Sequence, residues 1–412
     1  MIKKNNTIVF VTGQYLPKPG ATGLCVHELA KVLATKGYSV KTVCYHDDDY
    51  TRYFDDVYKD TVKQPFFMNE NRFKNGIKKR FARIVSLCAK GLYIREYPLR
   101  SKLLVARYCN KLDEIIKNSD GVVTIIGTYT PIEAVFAVKK IKQKYKGKIK
   151  AVYYSTDTLS NECGNEGILS AEYRNKKGEC AECDMFKVFD KIFLMECHKY
   201  HYEKATYDKY REKIEYVGFP LIIKPELKNR QVKPHKKISC IYAGSLYRVL
   251  RNPEFLIKLL SETNDKTNNI LASFYGSGDC DDILKKAEID SDGAIKYFGM
   301  RSHEEVITQI NEADILLSIG NNDSPMVPSK IYEYMSTGKP IIHTYRSEND
   351  SCLQPLRQYG NALLINENME LNINNVIEFI SNVHTLEFDE VKLHFRTSMP
   401  QYTTDLIEQL NN

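Results

Sequence analysis

Strand-like runs alternating with helical patterns along nearly the whole chain predict an α/β protein of two doubly wound domains facing each other. Each domain would be a parallel sheet with helices on both faces. Two observations carry this prediction. The strand candidates are continuous apolar runs, as a sheet covered on both sides requires. The alternation stops once, at a polar, basic, proline-punctuated stretch, and then begins again.

In the first half the strands read TIVFVT from Thr7, SVKTVCY from Ser39, VVTII from Val122, IKAVYYS from Ile149 and KIFLM from Lys191. A helix after Gly23, LCVHELAKVLATKG, closes on Gly37, a residue suited to a left-handed helix end. The break spans Tyr216 to Pro234, where GFP, KPE and KPH flank the basic run NRQVKPHKK, and reads as a linker. The pattern resumes with ISCIYAG, ILASFYG, IKYFG, DILLSIG, KPIIHT and NALLI. The last segment, TTDLIEQLNN, is a short amphipathic helix. The expected domains are therefore 1–218 and 219–395.

The chain has 412 residues, 43% of them hydrophobic and 27% charged, which suits a globular protein with a sizeable core. The start, MIKKNNTIVFVTG, lacks the long apolar segment of a secretory signal, and no run is long enough to span a bilayer. A cytoplasmic protein is expected, with the 11 scattered cysteines as reduced thiols.

The net charge is +7, and much of the basic character lies in 72–111. There, twelve Lys and Arg residues accompany one acid, Glu96, and apolar residues recur at roughly helical spacing. Such a segment suits an anionic membrane surface, with lysines facing headgroup phosphates. A helix packed on its own sheet with a solvated basic back gives the same pattern. The charge is confined to one region and no nucleic-acid motif accompanies it, so no nucleic-acid partner is expected.

Cys163, Cys180, Cys183, Cys197, His198 and His201 form one cysteine- and histidine-rich region. Only Cys180 and Cys183 have zinc-ligand spacing, and ordinary thiols are the expected state. No metal site is predicted.

Four stretches carry possible chemistry. Gly20, Thr22 and Gly23 lie between the first strand and the first helix, where glycines admit a ligand to the backbone and the helix start offers free amides. The dinucleotide fingerprint G-x-G-x-x-G is absent. Gly244 and Ser245 form the equivalent turn of the second domain, with Arg248 and Arg251 placed to pair with a phosphate or to lie solvated near a helix start. Gly276 and Gly278 make a third turn. The acids beside it, Asp279, Asp281 and Asp282, suit the first turn of a helix better than a metal. The fourth stretch is PSKIYEYMSTGKPII, where Pro328 opens a helix and Gly338 ends it. Lys330 and Glu333, three apart, share one face of that helix. A phosphate and a sugar diol would match the cation and the carboxylate, and a Lys–Glu surface pair is the plainer alternative.

With these motifs in view, nearly the full chain resembles the GT-B glycosyltransferases, specifically the retaining family four (glycosyl transferases group 1). The resemblance rests on YLPKPGATGLCVHELAKVLATKGYSVKTV, YAGSL…RNPEFLIKLL, FYGSGD, IKYFGMRSHEEVITQINEADILLS and PSKIYEYMSTGKPII. It implies two Rossmann-like domains, an acceptor-side domain first and a nucleotide-sugar-binding domain second, with a final helix, about 396–412, returning to the first. It implies that Arg251 and Lys330 hold a diphosphate and that Glu333 binds ribose hydroxyls. Gly276 and Gly278 would let the chain pass close to the nucleotide, Met300 and Arg301 would lie near the base, and Gly244 and Ser329 complete the donor set. Gly20, Thr22 and Gly23 would form an acceptor-side loop.

Family members often carry Glu-x7-Glu. Here the second glutamate is Glu333, and Pro325 stands where the first would be. Asn321, Asn322 and Asp323 are the polar residues available in its place. The histidine common near the cleft is absent, and Asp157 is the candidate catalytic residue, as base or acceptor-positioning group. Capping a turn is its structural alternative.

The activity so implied is sugar transfer from a UDP- or GDP-linked donor, without a cofactor, to a hydroxyl of a glycan or lipid-linked acceptor in surface polysaccharide assembly. It would take place at the inner face of the cell membrane. A sugar-nucleotide epimerase on the same fold would need several carboxylates and a histidine in the cleft. A degenerate subunit that only binds a partner would need neither Lys330 nor Glu333.

Overall fold

The computed structural model describes residues 6–15, 20–46, 58–63, 88, 91, 94–160, 169–225, 237–321 and 327–411. The chain divides into two compact units, Met1–Pro220 with Thr397–Asn412, and Leu221–Arg396.

The first unit contains β1 (Thr7–Thr12), α1 (Ala21–Thr35), β2 (Ser39–His46), β3 (Tyr58–Lys63), α2 (Lys102–Lys117), β4 (Val123–Tyr129), α3 (Ile132–Tyr145), β5 (Ile149–Ser155), α4 (Ala171–Phe186), β6 (Lys191–Met195), α5 (Lys199–Tyr202) and β7 (Ile214–Val217). Among the described residues seven strands run in the order β3-β2-β1-β4-β5-β6-β7, each parallel to its neighbour. β1 is buried at every position and β4 at all but its last, because helices cover both faces. The core gathers Val9, Val11, Ile125, Val135, Tyr153 and Phe186.

The second unit contains β8 (Ile238–Ala243), α6 (Glu254–Thr267), β9 (Ile270–Tyr275), α7 (Asp281–Asp290), β10 (Ile295–Gly299), α8 (His303–Glu312), β11 (Ile315–Ile319), α9 (Ser329–Ser336), β12 (Ile341–Tyr345), α10 (Leu353–Tyr359), β13 (Ala362–Asn366), α11 (Ile373–Ser381) and α12 (Phe388–His394). The order is β10-β9-β8-β11-β12-β13, again all parallel. Both sheets thus reverse direction of growth at one point, β1/β4 in the first and β8/β11 in the second. In open α/β sheets, ligands bind outside the carboxyl ends of the strands at such a point.

The last helix, α13 (Pro400–Asn411), belongs to the first unit. Lys36 pairs with Asp405 and Glu408, both at 2.5 Å, and Tyr38 donates to Glu408 at 3.1 Å. Burial disfavours the Lys36 charge, but the two carboxylates outweigh it and raise its pKa. The Gly218 amide donates to the Thr397 carbonyl at 3.0 Å, and a Cβ on Gly218 would overlap Ser398.

Two expectations need correction. Thr22 and Gly23, expected between the first strand and the first helix, lie within α1. The linker was expected to begin at Tyr216, yet Tyr216 and Val217 pair with Leu194 and Met195 as part of β7. This edge strand is only partly buried and carries Glu215, so it lacks the continuous apolar run that marks the central strands. The polar β3, YKDTVK, hides for the same reason. Residues 226–236 of the linker lie outside the described residues, as do most residues of 72–93 in the basic segment. Among the described residues no helix is long and apolar enough to cross a membrane.

Candidate functional site

In the second unit the connections after β8 and β9 lie against each other. The Gly244 amide donates to the Tyr275 carbonyl at 2.9 Å, and the Leu246 amide to the Ser277 carbonyl at 3.0 Å. Strand pairing therefore continues past the strands into the turns, with Leu246 opposite Gly278. A Cβ on Gly276 would overlap the Gly244 carbonyl, and one on Gly278 the Leu246 carbonyl. The close approach that these glycines permit in this structure is to the neighbouring turn. The Gly276 φ of +146° adds to the demand for glycine there.

Arg248 and Arg251 diverge. Arg248 is exposed and forks onto Asp282 at 2.6 and 2.5 Å, and this guanidinium lowers the Asp282 pKa. Arg251 is half-buried. Its backbone pairs with Tyr247, its Nη1 donates to the Ser245 carbonyl at 3.4 Å, and its Nε donates to the Asn321 side-chain oxygen. Asn321 follows β11, so this contact bridges the switch point between β8 and β11.

α9 follows β11. The Ala243 amide at the end of β8 donates to the Tyr334 hydroxyl at 2.8 Å, which ties α9 to that strand end. Pro328, which precedes α9, makes no side-chain cap and no acid occupies the first turn, so among the described residues that end keeps its positive polarity. Lys330 and Glu333 lie 3.1 Å apart and are 30% and 18% exposed. They form a half-buried pair, more sheltered than an ordinary surface pair. Gly338 ends the helix at a φ of +72°. The buried Lys339 then donates to the Asn311 carbonyl at 2.7 Å and to the Ala313 carbonyl, closing the end of α8.

The β10 end completes the edge. Gly276 donates to the Gly299 carbonyl at 2.9 Å, and Tyr275 stacks on Phe298 at 4.8 Å between centroids. Met300 is 73% exposed, and Arg301 lies 3.4 Å from Glu305. Gly244, Arg251, Gly276, Gly278 and the Met300–Arg301 turn therefore share the carboxyl edge of the second sheet, and α9 presents Ser329, Lys330 and Glu333.

In the first unit the same edge brings together α1 and β5. The Thr22 and Thr156 hydroxyls are 2.8 Å apart, and Thr156 contacts the Tyr129 carbonyl at the end of β4 through its amide and its hydroxyl. Gly20 precedes α1 and Gly23 lies in its first turn, without a side-chain cap. Asp157 is half-buried, and one of its oxygens accepts the Thr158 amide at 2.8 Å. The turn-capping role is thus in place.

Below this edge Glu182, fully buried, accepts hydrogen bonds from Ser160 (2.5 Å), Tyr207 (2.6 Å), Tyr202 (2.8 Å) and the Leu159 amide (3.1 Å). Burial raises its pKa, with these donors opposing. His201 meets the same Ser160 hydroxyl at 2.7 Å. His198 bonds to the Thr156 backbone, and burial pushes it down to about 4. Both histidines are therefore neutral at pH 7.

These folds resemble known ones. No family model matches the sequence, and no curated protein sequence does. Among solved structures, the catalytic domain of starch synthase IV from Arabidopsis thaliana, bound to ADP and acarbose, aligns with a TM-score of 0.55 at 12% identity over 98% of both chains. WaaG, a glycosyltransferase involved in lipopolysaccharide biosynthesis, aligns at 0.52 and 12% identity over 97% of this chain and 99% of its own. A UDP-N-acetylglucosamine 2-epimerase aligns equally well, at 0.52 and 12% identity, over 99% of this chain and 96% of its own.

The fold is GT-B. At this identity the likeness is one of fold, and it embraces more than one chemistry.

Within this GT-B chain, several residues fall in places the sequence did not signal. Cys163, Asn322, Asp323 and Pro325 lie outside the described residues. Among the described residues, Cys180, Cys183, Cys197, His198 and His201 do not converge on a common point. His201 is engaged by Ser160, and Cys180 and Cys197 are exposed. One other trio does converge: His343, Asp350 and Cys352, all buried, have ligand atoms within 4.8 Å of one another. Both Asp350 oxygens already accept backbone amides, from Asn321 at 3.0 Å and from Cys352 at 2.7 Å. Asn321 itself is 7% exposed and is spent on Arg251 and Asp350, which makes it a poor stand-in for a sugar-binding glutamate. Nothing in the sequence singles out Asp350, since RSENDSC has no periodicity and no motif.

Proposed function

We propose that this protein is a glycosyltransferase that moves a sugar from a nucleoside diphosphate sugar, UDP- or GDP-linked, to a hydroxyl of a glycan or lipid-linked acceptor. The observation that carries this is the Arg251–Asn321 contact at the β8/β11 switch point. It joins the loop after β8 to the loop after β11 through a guanidinium, at the kind of sheet edge where open α/β folds bind ligands, and α9, with no acid in its first turn, follows β11.

In this reading Arg251, Lys330 and the α9 amides take up the charge that develops on the leaving diphosphate. Lys330 leaves Glu333 for the phosphates, and Glu333 then accepts the ribose hydroxyls. Met300 and Arg301 lie beside the base. Asp157 orients or deprotonates the acceptor hydroxyl, with Gly20, Thr22 and Gly23 on the acceptor side. Transfer with retention, and attachment of 72–111 to an anionic membrane surface on the cytoplasmic side, complete the proposal. The fold likeness to glycosyltransferases supports the class, and the ADP bound in the starch synthase structure supports a nucleotide ligand.

The test is binding and turnover across UDP-, GDP- and ADP-sugars, with wild type beside Glu333→Ala. One donor bound selectively and lost in the variant is the expected result. Epimerised donor in place of transferred sugar would move the protein to the epimerase class, which the structural likeness also admits. A folded protein that binds no donor would end the enzyme reading and leave a partner-binding subunit.

A further inference from the structure

Arg251 does not hold its own pose. Its Nε–H is taken by the Asn321 side chain, and Asn321 is held in turn from beneath by the buried Asp350, 4% exposed. One Asp350 oxygen accepts the Asn321 amide at 3.0 Å. The other accepts the Cys352 amide at 2.7 Å, where α10 begins. The carboxylate therefore joins the loop after β11 to the loop after β12.

Gly320 makes this possible, because a Cβ there would overlap the Asp350 carboxylate. His343, on β12 and fully buried, places Nε2 3.7 Å from Asp350 and is among the groups that shift the Asp350 carboxyl. Its Nδ1 meets the Ser318 hydroxyl on β11 at 3.0 Å. Burial alone would raise the Asp350 pKa, but His343 and the Cys352 donors outweigh it and the pKa is lowered. The anchor is thus an anion at neutral pH.

We propose that Asp350 is a positioning residue for the donor diphosphate, acting through Asn321 to fix the Arg251 guanidinium in one pose. The inference rests on the proposed donor site and names what sets its affinity. An arginine ordered before the ligand arrives does not pay its ordering entropy on binding. Loss of the anchor returns that cost, a weakening of roughly tenfold for one long side chain.

The test is calorimetric titration of the full chain with UDP, GDP and ADP, for wild type, Asp350→Asn, Asn321→Ala, Arg251→Ala and the double variant Asp350→Asn with Arg251→Ala. Asp350→Asn and Asn321→Ala are each expected to weaken the preferred nucleotide roughly tenfold. In the Arg251→Ala background Asp350→Asn is expected to add less than about twofold, because both act on one contact. A purely structural aspartate would instead weaken binding additively, or lower the melting temperature and leave affinity unchanged. Either result overturns the proposal. If Asp350→Asn fails to fold, Asn321→Ala decides, and unchanged affinity there overturns it. Wild type that binds no nucleotide removes the donor site and the inference together. Wild type that binds, with Asp350→Asn unchanged, removes only the inference.

Discussion

The two sheets share a strand order and a switch point, yet their carboxyl edges are furnished differently. The edge of the second sheet carries a held guanidinium, an ammonium on a half-buried helix face and a buried carboxylate behind them. Among the described residues, the edge of the first is bound together by hydroxyls and carbonyls: Thr22 with Thr156, and Thr156 with Tyr129. One half-buried carboxylate, Asp157, and a neutral His198 accompany them. One topology thus carries an edge furnished with cations and an edge lined by hydroxyls and carbonyls. Topology fixes where a ligand goes, and the side chains at the strand ends decide what kind of ligand it is.

The sharpest way to break this comparison is Asp157→Asn. Sugar transfer is expected to fall by roughly a hundredfold or more, as for loss of a general base. Nucleotide affinity measured by titration should stay at the wild-type value. A loss of affinity with transfer intact would mean that the two edges do not divide the work as proposed.

Gly276→Ala is the next largest. The new methyl meets the Gly244 carbonyl at a strained φ, at a cost of about 1–3 kcal/mol in stability. A lowered thermal midpoint, accompanied by weaker nucleotide binding, is expected. An unchanged midpoint would show that the two turns are not held together as described.

The smallest effect concerns pH and belongs to the first edge. His198 titrates at about 4 in the fold, against about 6.5 when unfolded. Between those values the unfolded chain binds a proton that the native chain refuses. The stability linked to His198 is therefore present above about 6.5 and lost as pH falls toward 4. Glu182, raised by burial, works in the opposite sense, so the useful quantity is a difference. Wild type minus His198→Gln, followed by thermal melts from pH 4 to 7, should grow with pH by on the order of 2 kcal/mol. A flat difference would mean that His198 is hydrated rather than sealed beneath Thr156.

The central strands were legible because burial on both faces leaves an apolar run, and α9 was legible because proline and glycine bracket it. β3 and β7 were not, because edge strands carry polar residues. Within the site, the motif-bearing Arg251, Lys330 and Glu333 stood out by type and spacing. Asp350 did not, because its role depends on a loop 29 residues from Asn321 meeting it across the strand pair β11 and β12. The glycines were recognised as needed, but the partner they admit was visible only in three dimensions.

The return of α13 to the first unit bears on how the protein is made. Lys36 and Glu408, 372 positions apart, meet in the same unit. A ribosome delivers Lys36 that many positions before Glu408. The second unit, Leu221–Arg396, emerges in full while the first still lacks a helix. Domains generally fold as units during synthesis, the N-terminal one first. Here the first unit is completed only after the second, and for that interval the face of α1 that receives α13 waits for residues not yet joined to the chain.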